Sequence, residues 1–264
     1  MKSKFFVLSG GAILCGILLL SCGKHIIKIA PTASEQFDIA KTELDKKHYL
    51  SAIEDFQKVI FNYPGSNIID TAQYFLAMAY YENEDYELAG VEFSRLSSNY
   101  PRSEYVDDSQ YMAGVCYFKN TPAHYGLDQE DLKKAITAME DFIVENPDSP
   151  LIEDARRVIL EARTRMARKD YENAYLYFKL EDFKAAEIYF QLVIDDYTDT
   201  EYGARALFNM AEISYKQKKY PEALEKFNNF LTVYPANQLV PKAKSFVEKI
   251  TRKLNTANAS VPSK

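Results

Sequence analysis

The sequence predicts an all-α fold, a superhelical solenoid of five helix pairs closed by a C-terminal capping helix. Three observations lead there. One spacing returns five times: a large aromatic or aliphatic residue, Ala at +3, a large apolar residue at +7 and a helix terminator at +15. It reads Tyr49, Ala52, Phe56, Pro64; Tyr86, Ala89, Phe93, Pro101; Leu132, Ala135, Met139, Pro147; Phe183, Ala186, Phe190, Thr198; and Tyr220, Ala223, Phe227, Pro235. A helix N-cap residue follows each terminator by two positions, as Ser66, Ser103, Ser149, Thr200 and Asn237, whose side chains can accept from an orphaned first-turn amide. Helix breakers are scarce, with nine Gly and ten Pro in 264 residues. Units this small cannot bury an apolar face alone and must stack on their neighbours.

The N-terminal element is an address rather than part of the fold. Lys2 and Lys4 lead into the uncharged apolar run Phe5 to Leu20, and small Ser21 precedes Cys22. This is the pattern of a secretory signal peptide over residues 1–21, and it is short for a membrane span. Leu19-Leu20-Ser21-Cys22 resembles the bacterial lipobox, with Leu20 where a small residue is usual. The resemblance implies diacylation of Cys22, and two or more acyl chains anchor stably where one does not. Gly23-Lys24-His25 puts no acidic residue beside the lipid, so the expected place is the inner leaflet of the outer membrane. Cys15 would leave with the signal peptide, and Cys116 is then a lone thiol within an apolar helical pattern, expected to be buried and inert. Loss of Lys2 and Lys4 takes the formal charge from −6 to −8, which argues against nucleic acid and against adsorption to anionic lipid.

Residues 22–32 read as a lipidated tether and 33–254 as the solenoid, with repeats of about 33–65, 70–102, 107–148, 151–199 and 204–236 and a cap at 238–254. Pro150 after Ser149 suits the start of a helix, where its missing N–H costs nothing. Residues 255–264 carry almost nothing apolar and are expected to be a disordered tail. The motif alanines are spaced 37, 46, 51 and 37 apart. The 46 reflects an insertion containing Thr121-Pro122-Ala123-His124-Tyr125-Gly126, and the 51 reflects one uninterrupted helix over Leu151 to Leu180.

Leu76, Ala77 and Tyr80 before Tyr86, Ala89, Phe93 and Pro101, with Gly114 and Tyr117 at the matching places of the next unit, resemble the tetratricopeptide repeat. Small residues sit where two backbones cross closely and aromatics fill the gaps between pairs. Further stretches resemble the BamD family of outer-membrane assembly lipoproteins: Asn62-Tyr63-Pro64-Gly65-Ser66, Leu76 to Tyr81, Tyr111-Met112-Ala113-Gly114, Asp128-Gln129 with Lys134-Ala135, and Leu160 to Tyr177. That resemblance implies a non-catalytic lipoprotein without cofactors on the periplasmic face of the outer membrane. It implies docking on the periplasmic domains of the central barrel-assembly protein and reception of unfolded outer-membrane proteins. The C-terminal repeats would be the docking side and the N-terminal repeats the substrate side. The alternative reading is a periplasmic scaffold for another envelope complex, in division or peptidoglycan work.

In tetratricopeptide arrays the first helix of each pair lines the groove. That nominates Phe37, Lys41 and Leu44 in repeat 1, Tyr74, Met78 and Tyr81 in repeat 2, and Tyr111, Val115 and Phe118 in repeat 3. Such aromatics anchor an extended apolar segment well, and the same side chains also suit inter-repeat core. Tyr175 and Phe208 are the candidates for partner docking. Of the groove places only Lys41 suits a carboxylate-gripping array; Tyr74, Met78 and Tyr81 do not. His25, His48 and His124 lack a second ligand at helical spacing, and no phosphate-cradling Gly loop follows the signal peptide. The acidic groups Glu82, Glu84, Asp85 and Asp195, Asp196, Asp199 read as solvated turns.

Overall fold

The computed structural model describes residues 30–259. Cys22, the signal peptide and most of the tether lie outside the described residues, as does the end of the tail. The described chain folds into eleven helices: α1 (Ala33–Asp45), α2 (Tyr49–Asn62), α3 (Ile69–Glu82), α4 (Tyr86–Asn99), α5 (Val106–Asn120), α6 (Glu130–Glu145), α7 (Ile152–Lys179), α8 (Phe183–Asp196), α9 (Glu201–Lys216), α10 (Tyr220–Val233) and α11 (Val240–Ala259). Odd-numbered helices are the A members of the pairs and even-numbered helices the B members. Every helix packs on the next, and α7 also touches α5 and α9.

The recurrent spacing is the B helix. Ala52, Ala89, Ala135, Ala186 and Ala223 are all fully buried, as are Phe56, Phe93, Met139, Phe190 and Phe227 one turn on. A methyl group at the crossing lets the backbones of a pair close up, and the larger side chain fills the space beside it. Gly114 does the same on α5, where an added Cβ would lie 2.8 Å from Met139 Cε. The core is a series of clusters, each joining one pair to the first helix of the next, such as Ala40, Phe56 and Leu76 over α1–α3 and Ala77, Phe93 and Cys116 over α3–α5. That is the nearest-neighbour coupling of a solenoid.

The ends of the helices repeat too. Tyr63, Tyr100, Asn146, Tyr197 and Tyr234 close the B helices, each donating its N–H to the carbonyl four residues back. Four A helices end on a non-Gly residue in the left-handed region: Lys47, Glu84, Glu181 and Lys218. The next amide bonds five residues back in each case, as His48 N to Glu43 O at 2.9 Å, the Schellman closure. α1 opens with a capping box, Thr32 Oγ1 accepting from Glu35 N and Glu35 Oε2 from Thr32 N at 2.8 Å.

Two expectations change. Of the five nominated N-caps, only Thr200 caps its α-helix directly, through Gly203 N at 3.3 Å. Ser66, Ser103, Ser149 and Asn237 accept instead from the amide two residues on, starting a tighter i to i+3 turn that feeds the α-helix. The side chain thus satisfies an orphan amide one turn earlier. Pro150 therefore sits in that turn, ahead of α7. The chain expected to be disordered from residue 255 continues helical to Ala259: no Gly or Pro interrupts it there, and Thr256 Oγ1 donates back to Lys253 O at 2.9 Å.

α7 has 28 residues, so it is roughly 42 Å long. The insertion lies on its middle: Arg168 covers the Tyr125 ring at 4.8 Å, Tyr125 stacks on His124, and Lys169 Nζ donates to Leu127 O.

Candidate functional site: two faces of the A helices

On α1, α3 and α5 the nominated groove residues divide in two. Phe37 lies edge-on to Phe56 and Phe75 at 5.6 and 5.7 Å. Lys41 pairs with Asp45 and sets its ammonium 5.3 Å from the Phe75 ring centre. Leu44 packs on the α1–α3 cluster and Met78 on the α3–α5 cluster. Tyr74 stacks on Tyr105 at 4.5 Å, and burial, with Asp108 nearby, pushes its phenol up. Tyr81 meets Tyr86 edge-on at 5.4 Å and Tyr111 rests on Phe142 at 5.9 Å. All seven keep part of their surface in solvent.

Val115 and Phe118 keep almost none. They are 8% and 7% exposed, Val115 among Met139, Phe142 and Ala155 and Phe118 among Leu132, Ala135 and Ala162. The long α7 packs on α5 as well as on α6, and Arg165 spreads over the Phe118 ring at 4.1 Å. Both side chains pack in the inter-repeat core, whereas the groove expectation places them at its surface.

In the C-terminal half, Tyr175 and Phe208 line one cleft of ≈ 480 Å³ between α7, α9 and the turn before α11. Phe208 is 1% exposed, locked edge-on by Phe227 and Phe230 at 5.4 and 5.6 Å and roofed by the Lys242 ammonium at 4.7 Å. It shapes the cleft floor and presents little surface of its own. Tyr175 stays partly open, stacked on Tyr171 at 5.7 Å with Lys179 over its ring.

Tyr171 and Asn209, which no motif singles out, meet at 2.9 Å in this cleft. A signal was there: Asn209 is the one polar residue between Ala206 and Ala211. Asp199 is an exposed turn residue, as expected, and is also paired: Arg163 grips it with two bonds of 2.7 and 2.6 Å, donates to Asp196 O at 2.6 Å and lies over the Tyr197 ring. That contact holds the Asp199 carboxyl below its ordinary range. Cys116 is buried as expected, 1% exposed, and burial pushes its thiol up to about 12, which disfavours the reactive thiolate. Among the described residues no group of three His, Cys, Asp or Glu is placed to hold a metal ion.

The outer membrane lipoprotein family YfiO matches residues 30–219, and a tetratricopeptide repeat family matches residues 204–237. The outer membrane protein assembly factor BamD of Vibrio cholerae serotype O1 is 26% identical over 241 residues, covering 88% of this chain and 99% of that protein. Among solved structures, the chain is similar to the TPR2AB-domain–pHSP90 complex of yeast Sti1 (TM-score 0.38, 18% identity, 83% of this chain and 98% of that one). It is also similar to a tetratricopeptide repeat protein from Parabacteroides merdae (TM-score 0.36, 14% identity, 86% and 76%). With its larger part matched by one family, this chain belongs to the YfiO outer membrane lipoprotein family.

Proposed function

We propose that this non-catalytic outer-membrane lipoprotein works in β-barrel assembly by holding unfolded outer-membrane proteins and docking on the central barrel-assembly protein. The observation that carries the substrate half is the row of half-open aromatics on α1, α3 and α5: Phe37, Tyr74, Tyr81 and Tyr111. Rigid rings with one face in solvent bind an extended segment at low entropic cost. The C-terminal strand of a barrel protein, alternating apolar residues with an aromatic end, has the matching pattern. Relationship to the assembly factor of Vibrio cholerae supports the machinery. The docking side is the C-terminal half, with Tyr175 as its open aromatic, and Cys22 is the lipid attachment point.

The test is peptide affinity by fluorescence anisotropy beside co-purification with the barrel protein. Truncating aromatic anchors costs on the order of 2 kcal/mol, so Tyr74→Ala with Tyr111→Ala weakens strand-peptide binding at least about tenfold and leaves co-purification intact. Tyr175→Ala does the reverse. Unchanged peptide affinity in the Tyr74/Tyr111 variant places the substrate site elsewhere. Acyl labelling of Cys22→Ala equal to wild type would remove Cys22 as the anchor.

A further inference from the structure

We infer that the C-terminal cleft binds an extended polypeptide segment by its main chain, read by the Tyr171–Asn209 pair. The inference deepens the C-terminal docking half of the proposed function and rests on it only for the identity of the partner. Tyr171 is 8% exposed, its ring held by Tyr175, Phe190 and Tyr202 at 5.4 to 5.7 Å. Asn209, 6% exposed on α9, donates from Nδ2 to the Tyr171 hydroxyl at 2.9 Å. That bond uses an acceptor site of the phenol and leaves its proton undonated. Asn209 Oδ1 likewise receives no hydrogen bond from the described residues. A donor and an acceptor thus stand side by side in the cleft wall, the complement of a peptide N–H and C=O. Turning the Asn209 amide over exchanges the two roles but keeps one of each.

The surroundings select the ligand. An ion pair flanks each side of the cleft, Arg205 with Glu201 at 2.9 Å and Lys242 with Glu212 at 2.9 Å. With each cation already matched by a carboxylate, the site suits a neutral main chain better than a phosphate or a free carboxyl terminus. A helix has spent its own amides internally, so only an extended stretch offers the pair its partners. Burial pushes the Tyr171 phenol up to about 12, which keeps it a donor at neutral pH. The cleft volume of ≈ 480 Å³ falls within the range of ligand sites.

The experiment selects phage-displayed peptides of about twelve residues on the full-length lipoprotein in detergent micelles, then measures the selected peptides, capped at both ends, by anisotropy. Tyr171→Phe keeps the ring and removes only the hydroxyl. We expect one class of peptides to lose about tenfold in affinity in Tyr171→Phe, the scale of one well-placed hydrogen bond. For that class, replacing a single backbone amide by an ester weakens binding to wild type but not to Asn209→Ala, with thermal melting confirming that both variants fold. Peptides weakened only by Tyr74→Ala with Tyr111→Ala report on the N-terminal site and judge the earlier reading separately. Selections that return only peptides indifferent to Tyr171→Phe, or none, overturn the inference, as does binding that depends on a free terminal carboxylate.

Discussion

The five B helices run to 14, 14, 16, 14 and 14 residues and share their buried Ala, their large residue one turn on and their closing geometry. The five A helices of the pairs run to 13, 14, 15, 28 and 16 residues; four share the left-handed closure, but their lengths and side chains vary. The difference is one of constraint. A B helix contacts its own partner and the next A helix, so the same crossing must be solved five times. An A helix also meets A helices of neighbouring pairs, as α7 meets α5 and α9, and its side chains diverge: partly open aromatics on α1, α3 and α5, and a polar pair with flanking ion pairs on α7 and α9. The repeated half builds the array and the varied half is where binding is proposed.

The largest effect expected falls where an A helix is itself constrained. A Cβ on Gly203 of α9 would lie 2.3 Å from the carbonyl oxygen of Tyr197, backbone that cannot swing aside. Gly203→Ala is expected to destabilise by about 3 kcal/mol; an unchanged melting midpoint would show that the α8–α9 turn yields easily. Next comes the B side of the comparison. Ala89→Leu and Ala223→Leu overpack the pair crossing and are each expected to cost about 2 kcal/mol in urea unfolding. If both were neutral, the alanines would not set the inter-helix distance.

A smaller effect tests what holds the long α7 to the following turn. Arg163→Ala removes the forked bond to Asp199, and both side chains are partly open to solvent, so the screened loss is about 1 kcal/mol. The sign with pH follows from the lowered Asp199 carboxyl. A lowered folded-state value contributes stability that is present above the ordinary Asp range of about 4 and lost as pH falls through the folded value. The gap between wild type and Arg163→Ala should therefore narrow in acid, the bond to Asp196 O and the Tyr197 contact remaining, and a constant gap from pH 7 to acid would exclude the ion pair as its cause. The smallest effect is a gain. Glu84 holds φ of 63° at the close of α3, so Glu84→Gly is expected to add about 0.5 kcal/mol by relieving left-handed backbone, read as a raised midpoint.

Much of the array was legible because a period survives any local ambiguity. Ala52 or Ala186 alone says nothing, but the return of the same spacing identifies a crossing. The insertion and the long helix were visible as departures from that period. The turns were read less well: Ser66, Ser103, Ser149 and Asn237 were correctly chosen as capping side chains, yet they cap a tight turn ahead of the helix. Whether a turn of that kind precedes a helix depends on how the next pair docks, which local composition does not encode.

The sequence by itself determined the helices, their pairing and the family, since each rests on periodicity and on residues near one another in the chain. Only the tertiary structure decided which A-helix side chains remain open. Tyr111 and Phe118 lie two turns apart on α5 and α7 packs along both, yet Arg165 roofs the second while the first stays partly open. Phe208 and Asn209 are adjacent in sequence, and one became core while the other met Tyr171, 38 residues away, in the wall of a cleft. The physical reason is that burial is a property of what comes back to cover a residue, and in a solenoid the covering helix belongs to the next repeat.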